Sequence, residues 1–450
     1  MANPLIPRFR ASRLPSFLMA LGLARSVLAG AAGEPAAVPL SPQALVARAL
    51  ERSPELAAAR AEVEAALSSV SPAGALPDPM LTLSYENDGT SISLGEEPMT
   101  RLSLMGEQTL PFPGKLRLAS EVASAEARVS ETAVARAELS VTAQVLRAWA
   151  TLAEAREAAR LTDEQGGTWK GIEEGTRARY AAGMGSQQDV LRAQSERTRL
   201  LQQRRRDEAA IRGAESELRR LLFAGPDEAL PAVAELPREV PAIPGSEESL
   251  ARAEERSPEL LGARVSGERE RLAADLARLG TRPDFVAQAA YMNRGSLPLM
   301  WSVSAGVTLP LWAGRKQKPL ELAADRRLAA ARERERDVRA RLTAVTTERL
   351  ALLSDLSEEV RLDREALLVQ DRLAVEAALA SYRAGSVPFV TVLEAVATEF
   401  ADRRAALGRL ATLHRTLADL GELSLDPAGP SMAAAPMARP RSSAPAAAGM

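Results

Sequence analysis

The stretch Glu51-Arg52-Ser53-Pro54-Glu55-Leu56 returns, letter for letter, as Glu255-Arg256-Ser257-Pro258-Glu259-Leu260. Later landmarks repeat in the same order: Thr109-Leu110-Pro111 returns as Thr308-Leu309-Pro310, and Tyr180-Ala181-Ala182-Gly183 returns as Tyr382-Arg383-Ala384-Gly385. The separations agree on a period of about 200 residues, which far exceeds the roughly 20–50 residues of a solenoid repeat. The sequence therefore predicts one whole structural unit that occurs twice in the chain.

Both copies show the same order of patterns: a helix, a β-hairpin, a long helix, a tight turn and a second long helix. The segment from Lys115 to about Arg179 contains no proline, and its apolar positions between Val141 and Ala159 step alternately by four and three residues, as in a coiled-coil seam. A first helix is predicted to begin at Ser41 or Ser53 and to run to about Val70, and the later helices cover about 115–179, 186–222, 255–279, 318–384 and 387–423. Each copy is thus predicted to form a long antiparallel helical hairpin.

The predicted strands alternate between one apolar and one small or polar face. Such alternation is typical of strands that separate lipid from water. The candidates for lipid-facing positions are Leu81, Leu83, Tyr85, Trp301, Val303 and Val307. No segment reaches the roughly 18 apolar residues of a transmembrane helix, so a membrane span would have to consist of strands.

The ends of the chain differ from the repeats in composition. Residues 1–31 combine a basic region, a short apolar core and small residues, which indicates an export signal. The first repeat is predicted over 41–225, a proline-dotted linker over 226–245 and the second repeat over 246–425. Residues 426–450 have no periodicity and are expected to be disordered.

Composition argues against several functions. The net charge of −2 argues against nucleic-acid binding, which normally requires a basic face. There is no cysteine and a single histidine, His414, so no thiolate nucleophile, disulfide framework or transition-metal site is visible. No nucleophile–base pair or phosphate loop is present either. We therefore expect neither an enzyme nor a bound cofactor or metal.

The two turn motifs resemble those of the TolC-like outer-membrane efflux family. They are Tyr180-x-x-Gly183 with Asp189-Val190-Leu191 and Gln194, and Tyr382-x-x-Gly385 with Val392-Leu393-Glu394. The resemblance covers about 41–423. Two shorter segments, Leu76-Pro77-Asp78-Pro79 and the stretch from Gln108 to Lys115, resemble the heavy-metal cation branch of CzcC-like and CusC-like proteins.

The resemblance implies a mainly helical fold with membrane β-structure, a protomer repeated twice internally. Three protomers would form a 12-stranded outer-membrane β-barrel on an α-barrel that extends into the periplasm. The homotrimer would be a passive export duct in contact with outer-membrane lipid. Its implied partners are a periplasmic adaptor and an inner-membrane pump of the resistance-nodulation-division (RND) type. No cofactor is implied, because the pump supplies the energy.

The resemblance also implies which residues lie at the periplasmic tip and act as a gate: Tyr180, Asp189, Gln194, Tyr382, Thr391 and Glu394. Gly183 and Gly385 would form the tip turns, as glycine commonly does after a helix. Val387 and Thr391 depart from the basic and acidic residues found in some members. Two alternatives stay open: Asp189 serves only the start of its helix, where an acid is favourable, and the tyrosines only pack.

Two other protein classes share parts of this pattern. A periplasmic coiled-coil adaptor has one helical hairpin flanked by small β-domains, whereas this sequence has two copies and no such domains. A structural scaffold would not require alternating strands or paired turn motifs. Within the duct interpretation, drugs or other small molecules are the alternative cargo to metal cations.

Overall fold

A computed structural model of the chain describes residues 40–94, 97–225, 228–423 and 425. The predicted signal segment 1–31, the predicted tail 426–450 and residues 226 and 227 of the predicted linker lie outside the described residues.

The first half contains a short helical layer and one long helical hairpin. Its helices are α1 (Pro42–Arg52), α2 (Pro54–Ser68), α3 (Val70–Gly74), α4 (Lys115–Ala181) and α5 (Gln187–Leu221). The sequence left Ser41 and Ser53 as alternative starts of one first helix, and in the structure each caps a helix of its own, because Ser53 adopts an extended backbone that separates α1 from α2. Pro54 disfavours a helical conformation in the residue before it, and the Ser53 hydroxyl caps α2 by accepting the Leu56 N–H at 3.3 Å.

The second half repeats this order. Its helices are α6 (Ser246–Arg256), α7 (Pro258–Leu279), α8 (Gln317–Leu362), α9 (Leu368–Arg383) and α10 (Phe389–Glu422). Helix α6 was not predicted, and the prediction of one uninterrupted helix over 318–384 was wrong. A π-helical turn, Asp363–Leu367, separates α8 from α9. Arg409 of α10 donates to both carboxylate oxygens of Asp363 at 2.6 Å, which stabilises this irregular turn.

Four antiparallel strands form one sheet in the order β1 (Met80–Glu86), β2 (Arg101–Leu110), β3 (Asp284–Asn293) and β4 (Met300–Thr308). The β-hairpin of the first half pairs with the β-hairpin of the second half through strands β2 and β3. Leu83 lies opposite Leu104, Leu104 opposite Tyr291, and Tyr291 opposite Trp301. Because directly opposed residues share a face, the register collects most of the large apolar side chains of the four strands on one side of the sheet.

The long helix α4 contributes to both main apolar cores. At 67 residues and 1.5 Å per residue it is about 100 Å long. One core packs Leu45 of α1 and Leu218 of α5 against Val145 and Leu152 of α4. Another packs Trp169 of α4 with side chains of α9 and α10. The seam predicted from the sequence is therefore buried against helices of both halves.

Among the described residues, no helix combines the length and the apolar character needed to cross a membrane.

Candidate functional site at the helical hairpin turns

The two helical hairpins turn with the same backbone geometry. Gly183 and Gly385 have φ values of +71° and +75°, a conformation that glycine adopts without a Cβ penalty. In the first turn, the Met184 N–H donates to the Arg179 carbonyl at 2.9 Å and the Gly183 N–H donates to the Tyr180 carbonyl at 3.0 Å. The second turn repeats both bonds, from Ser386 to Ser381 and from Gly385 to Tyr382, each 3.0 Å. This is the Schellman motif, which satisfies the last carbonyls of a helix.

The helices after the two turns begin differently. The Ser186 hydroxyl caps α5 by accepting the Asp189 N–H at 3.2 Å. Asp189 lies in the first helical turn, where the helix dipole favours a carboxylate. Helix α10 starts after Pro388 without a side-chain cap, and the Thr391 N–H donates to the Pro388 carbonyl at 3.1 Å. Asp189 thus takes part in the helix start.

Arg179 joins the first turn to the second. Its guanidinium carbon lies 4.8 Å from the centre of the Tyr382 ring. Nη1 donates to the Arg383 carbonyl at 3.1 Å, and Nη2 donates to the Met184 carbonyl at 3.2 Å. Sequence reasoning missed Arg179, because one arginine in an arginine-rich helix has no distinguishing pattern. The repeat is no guide either, because the equivalent residue before Tyr382 is Ser381.

Tyr382 is half-buried between the hairpins. Its ring centre lies 5.5 Å from that of Phe389, and its hydroxyl is buried without a hydrogen-bond partner among the described residues. Burial raises the pKa of the Tyr382 phenol, and the nearby Asp189 carboxylate raises this pKa further, while Arg179 opposes the shift. Tyr180, by contrast, is 49% exposed. The structure therefore joins Arg179 and Tyr382, places the Asp189 carboxylate close enough to act electrostatically on the Tyr382 phenol, and leaves Tyr180 on the surface.

The other predicted tip residues lie apart from this contact. Gln194 donates to the Glu173 carboxylate at 3.3 Å, within the first hairpin. Glu173 is buried and also accepts from Arg197 and Arg177, each at 3.0 Å. The bond from Arg197 is the main reason that the pKa of Glu173 is lowered. Sequence reasoning missed Glu173, which looks like any surface acid of a helix.

Glu394 and Thr391 make few contacts at the second turn. Glu394 is exposed and has no ion-pair partner within the described part of the chain. The Thr391 side chain is half-buried. The chain itself therefore does not use the Glu394 carboxylate, which stays accessible.

A buried ion pair ties the two halves together farther along the helices. Asp207 of α5 is 3% exposed and pairs with Arg404 of α10 at 3.0 Å. The Thr162 hydroxyl of α4 donates to the same carboxylate at 2.6 Å. Burial by itself would raise the pKa of Asp207, but the bonds from Arg404 and Thr162 outweigh it, and this pKa is lowered. Three helices from both halves thus share one satisfied carboxylate.

The predicted lipid-facing residues lie on the apolar face of the sheet. Their exposed fractions are 71% for Leu81, 68% for Leu83, 43% for Tyr85, 77% for Trp301, 72% for Val303 and 52% for Val307. The register connects them across the strands, as Leu81 is opposite Gly106, Gly106 opposite Ala289, and Ala289 opposite Val303. The chain leaves this face uncovered.

Within the described ranges, no group of three or more His, Cys, Asp or Glu residues is arranged to hold a metal ion.

Comparison with known proteins gives matches in both sequence and structure. The family described as "Outer membrane efflux protein" matches residues 45–222, from within α1 to the end of α5. No curated protein sequence matches significantly. Several solved structures share the fold, including the outer membrane protein VceC from Vibrio cholerae, with a TM-score of 0.69, 19% identity, and coverage of 84% of this chain and 94% of that chain.

Two further structures show the same degree of similarity. A crystal structure of CusC, reported in connection with transmembrane channel formation, has a TM-score of 0.69 at 17% identity. The alignment covers 87% of this chain and 92% of the CusC chain. The MtrE outer membrane channel of Neisseria gonorrhoeae, in its open state, has a TM-score of 0.68 at 21% identity, covering 85% and 88%. The shared fold therefore spans both repeats, whereas the family match lies in the first.

Proposed function

We propose that this chain, which matches the outer membrane efflux protein family over residues 45–222, is an outer-membrane channel protein rather than an enzyme and serves as the passive exit duct of a tripartite efflux system. The observation that carries the proposal is the sheet. Most of the large apolar side chains of the four strands, including Leu83, Tyr291 and Trp301, lie on one exposed face, as in strands in contact with lipid. Two long helical hairpins follow these strands in the chain.

The duct would be a homotrimer. The sheet order leaves β1 and β4 as edge strands, each paired on one side only within the chain. Unpaired strand edges are too costly in lipid, so the edges of one copy need those of the next. Three copies of a four-stranded sheet would give a closed barrel of twelve strands. The helical hairpins would extend from it into the periplasm.

The hairpin turns would form the gate. The contacts of Arg179 with the Tyr382 ring and the Arg383 carbonyl hold the two turns of one protomer together, and Asp189 lies at the start of the helix that follows the first turn. The exposed Tyr180 and Glu394 would face neighbouring protomers, while Gln194 and Thr391 would position the turns from within. Carboxylates repeated around a threefold axis would also favour cations over anions.

For cargo and partners, we propose heavy-metal cations, a periplasmic adaptor and an inner-membrane RND pump. The segments Leu76–Pro79 and Gln108–Lys115, which resemble the heavy-metal branch, support this proposal. CusC and MtrE share the fold of this chain with nearly equal TM-scores, 0.69 and 0.68, so the fold does not choose a cargo, and drug or other small-molecule export is the alternative that an experiment must separate.

The test is growth of a strain that lacks this chain, with and without a restored copy, across metal salts and organic drugs. Sensitivity to metal cations that the restored copy reverses supports metal export. Sensitivity mainly to drugs or detergents keeps the duct and rejects the metal cargo. Cell fractionation separates the remaining classes: a duct sediments with outer membranes and needs detergent for extraction, whereas an adaptor or scaffold that dissolves without detergent would contradict the duct.

A further inference from the structure

The segment that follows β4 exposes apolar and basic side chains next to each other. Its exposed apolar residues are Leu309 at 63%, Leu311 at 79%, Trp312 at 74%, Leu320 at 60% and Leu322 at 57%. Arg315, Lys316 and Lys318 lie between them and are also exposed. The patch from Leu309 to Leu322, called here the β4–α8 patch, thus combines an uncovered apolar surface with three cations.

The backbone of the β4–α8 patch is a compact turn. The Arg315 and Lys316 N–H groups both donate to the Trp312 carbonyl, at 2.9 and 3.0 Å, and the Lys318 N–H donates to the Ala313 carbonyl at 2.9 Å. These bonds hold the three basic residues within a few positions of Trp312. The Trp312 ring is therefore exposed although its segment is folded into a hydrogen-bonded turn.

The three cations have no carboxylate partner among the described residues, whereas most arginines of the helices do. The first two acids of α8 are unavailable, because Glu321 and Asp325 approach Arg278 of α7 at 3.9 and 2.7 Å. The fold thus leaves three adjacent positive charges for a ligand outside the chain.

The equivalent segment of the first repeat is closed. Phe112 is half-buried, with the guanidinium carbon of Arg282 at 6.0 Å from the centre of its ring. Lys115 pairs with Asp284 at 2.8 Å and also donates to the Arg282 carbonyl at 3.1 Å. The same place in two copies of one unit is therefore packed and charge-neutralised in the first copy, and open and cationic in the second. The closing residues Arg282 and Asp284 lie just before and at the start of β3, which flanks β2, whereas β4 is an edge strand with no further strand of its own chain beside it.

The position of the patch fits a membrane surface. Strand β4 has nine residues, which is within the roughly 9–11 residues with which a strand tilted by about 45° crosses the membrane. A segment directly after this strand would lie at the level of the lipid headgroups. Tryptophan is enriched at that level, and lysine and arginine there attract anionic headgroups.

We propose that the β4–α8 patch binds the headgroups of anionic phospholipids, with Trp312 and Leu311 in the boundary of the acyl chains and Arg315, Lys316 and Lys318 on the phosphates. This inference rests on the proposed function, since it requires the sheet to lie in a bilayer. Charge complementarity favours lipid over a second copy of the chain. A neighbouring copy that paired its β1 with β4 would bring one exposed acid, Asp78, toward three cations.

The test uses tryptophan fluorescence of the full chain in vesicles. The chain has four tryptophans, of which Trp149 and Trp169 are 5% and 2% exposed. The variant Trp301→Phe leaves Trp312 as the exposed reporter. The vesicles contain either phosphatidylcholine or phosphatidylglycerol with brominated acyl chains, which quench the fluorescence of a tryptophan in contact with them. Quenching gives an affinity for each lipid, and the ratio of the two affinities measures the preference for anionic lipid.

Each basic residue near an anionic surface adds about a fivefold preference. We therefore expect Trp312 to prefer phosphatidylglycerol over phosphatidylcholine by at least about tenfold. The affinity ratio should fall to about one in a triple variant that carries Arg315→Gln, Lys316→Gln and Lys318→Gln. A control triple variant removes three exposed helix cations that lack an ion-pair partner among the described residues, through Lys170→Gln, Arg192→Gln and Arg206→Gln. This control should leave the affinity ratio unchanged.

A second reporter separates this inference from the proposed function. The variant Trp312→Phe retains Trp301 on the apolar sheet face, which both lipids should quench. If Trp301 is not quenched, the membrane position of the sheet and the inference both fail. If Trp301 is quenched but Trp312 shows no preference, or the triple variant keeps the preference, only the inference is overturned. A Trp312 that neither lipid quenches would be covered by another copy, which also overturns it.

Discussion

Removal of the Arg179 side chain should open the hairpin turns, because this side chain makes polar contacts between the two hairpins at the tip. Its bond to the Arg383 carbonyl, at 3.1 Å, and its position 4.8 Å from the centre of the Tyr382 ring both cross from one hairpin to the other. Its bond to Met184 lies within its own turn and does not oppose opening.

The magnitude follows from these two contacts. A half-exposed hydrogen bond from a charged donor contributes about 1 kcal/mol, and the cation–π contact about 0.5–1 kcal/mol. Arg179→Ala should therefore shift the equilibrium toward the open turns by about 1.5–2 kcal/mol per protomer. At 1.4 kcal/mol per tenfold change, this is roughly a 10- to 30-fold change in the equilibrium constant.

Single-channel recordings of the purified protein in planar bilayers would measure the shift as a rise in open probability. Arg179→Lys keeps the charge but has no planar fork, so it should be intermediate. Arg192→Ala is the control, since Arg192 is exposed on α5 and has no ion-pair partner among the described residues. If Arg179→Ala stayed within twofold of the wild type while folding normally, the tip contact would have no gating role and this reasoning would be refuted.

Three further predictions concern the sheet and the buried ion pair. Val303→Arg should reduce membrane insertion by about 2–4 kcal/mol, measured by outer-membrane fractionation, whereas Ser302→Arg on the opposite face should insert normally; equal insertion of both variants would contradict the lipid-facing assignment. Arg404→Ala should destabilise the fold by about 3–5 kcal/mol in urea unfolding, because it leaves the Asp207 carboxylate buried and unpaired, while Arg403→Ala, which removes a more exposed pair, should cost less than about 1 kcal/mol; similar losses would refute the role of burial. Because the folded pKa of Asp207 lies below its ordinary value of 3.8, its stabilisation is complete above about pH 3.8 and is lost as the pH falls through the folded pKa. Melting curves between pH 7 and pH 2 should therefore lose part of their acid-side slope in Asp207→Asn, and an unchanged slope would show that this carboxylate does not contribute.

Much of the secondary structure was predictable because its signals are local. The long proline-free segment predicts α4, and the two glycines at positions 183 and 385 predict the turns, since the positive φ there depends on the residue itself. The strand alternation likewise predicts which side of each strand is apolar. Ser53 was recognised only as an alternative helix start, and the break at Ser257 was missed although Pro258 follows it, because proline is also common in the first turn of a helix.

The candidate site was less predictable, because its contacts join residues far apart in the chain. Tyr382 and Asp189 were named from a motif, but their proximity and the role of Arg179 depend on how one hairpin lies against the other. Glu173, Asp207 and Arg404 have the same sequence context as many surface charges of these helices. Burial alone distinguishes them, and burial is a property of the packed helices.

By itself, the sequence determined the twofold repeat, the order of helices and strands in each copy, the tight turns and the polarity of the strand faces. These features follow from residue spacing and from the backbone preferences of glycine and proline, which act over a few residues. Only the tertiary structure decided that the two hairpins join through β2 and β3, that Arg179 links the two turns, and that the segment after β4 is open while its counterpart after β2 is closed. These outcomes depend on side chains about 100 to 200 residues apart that meet only when the two halves pack, and no local pattern records which of them meet.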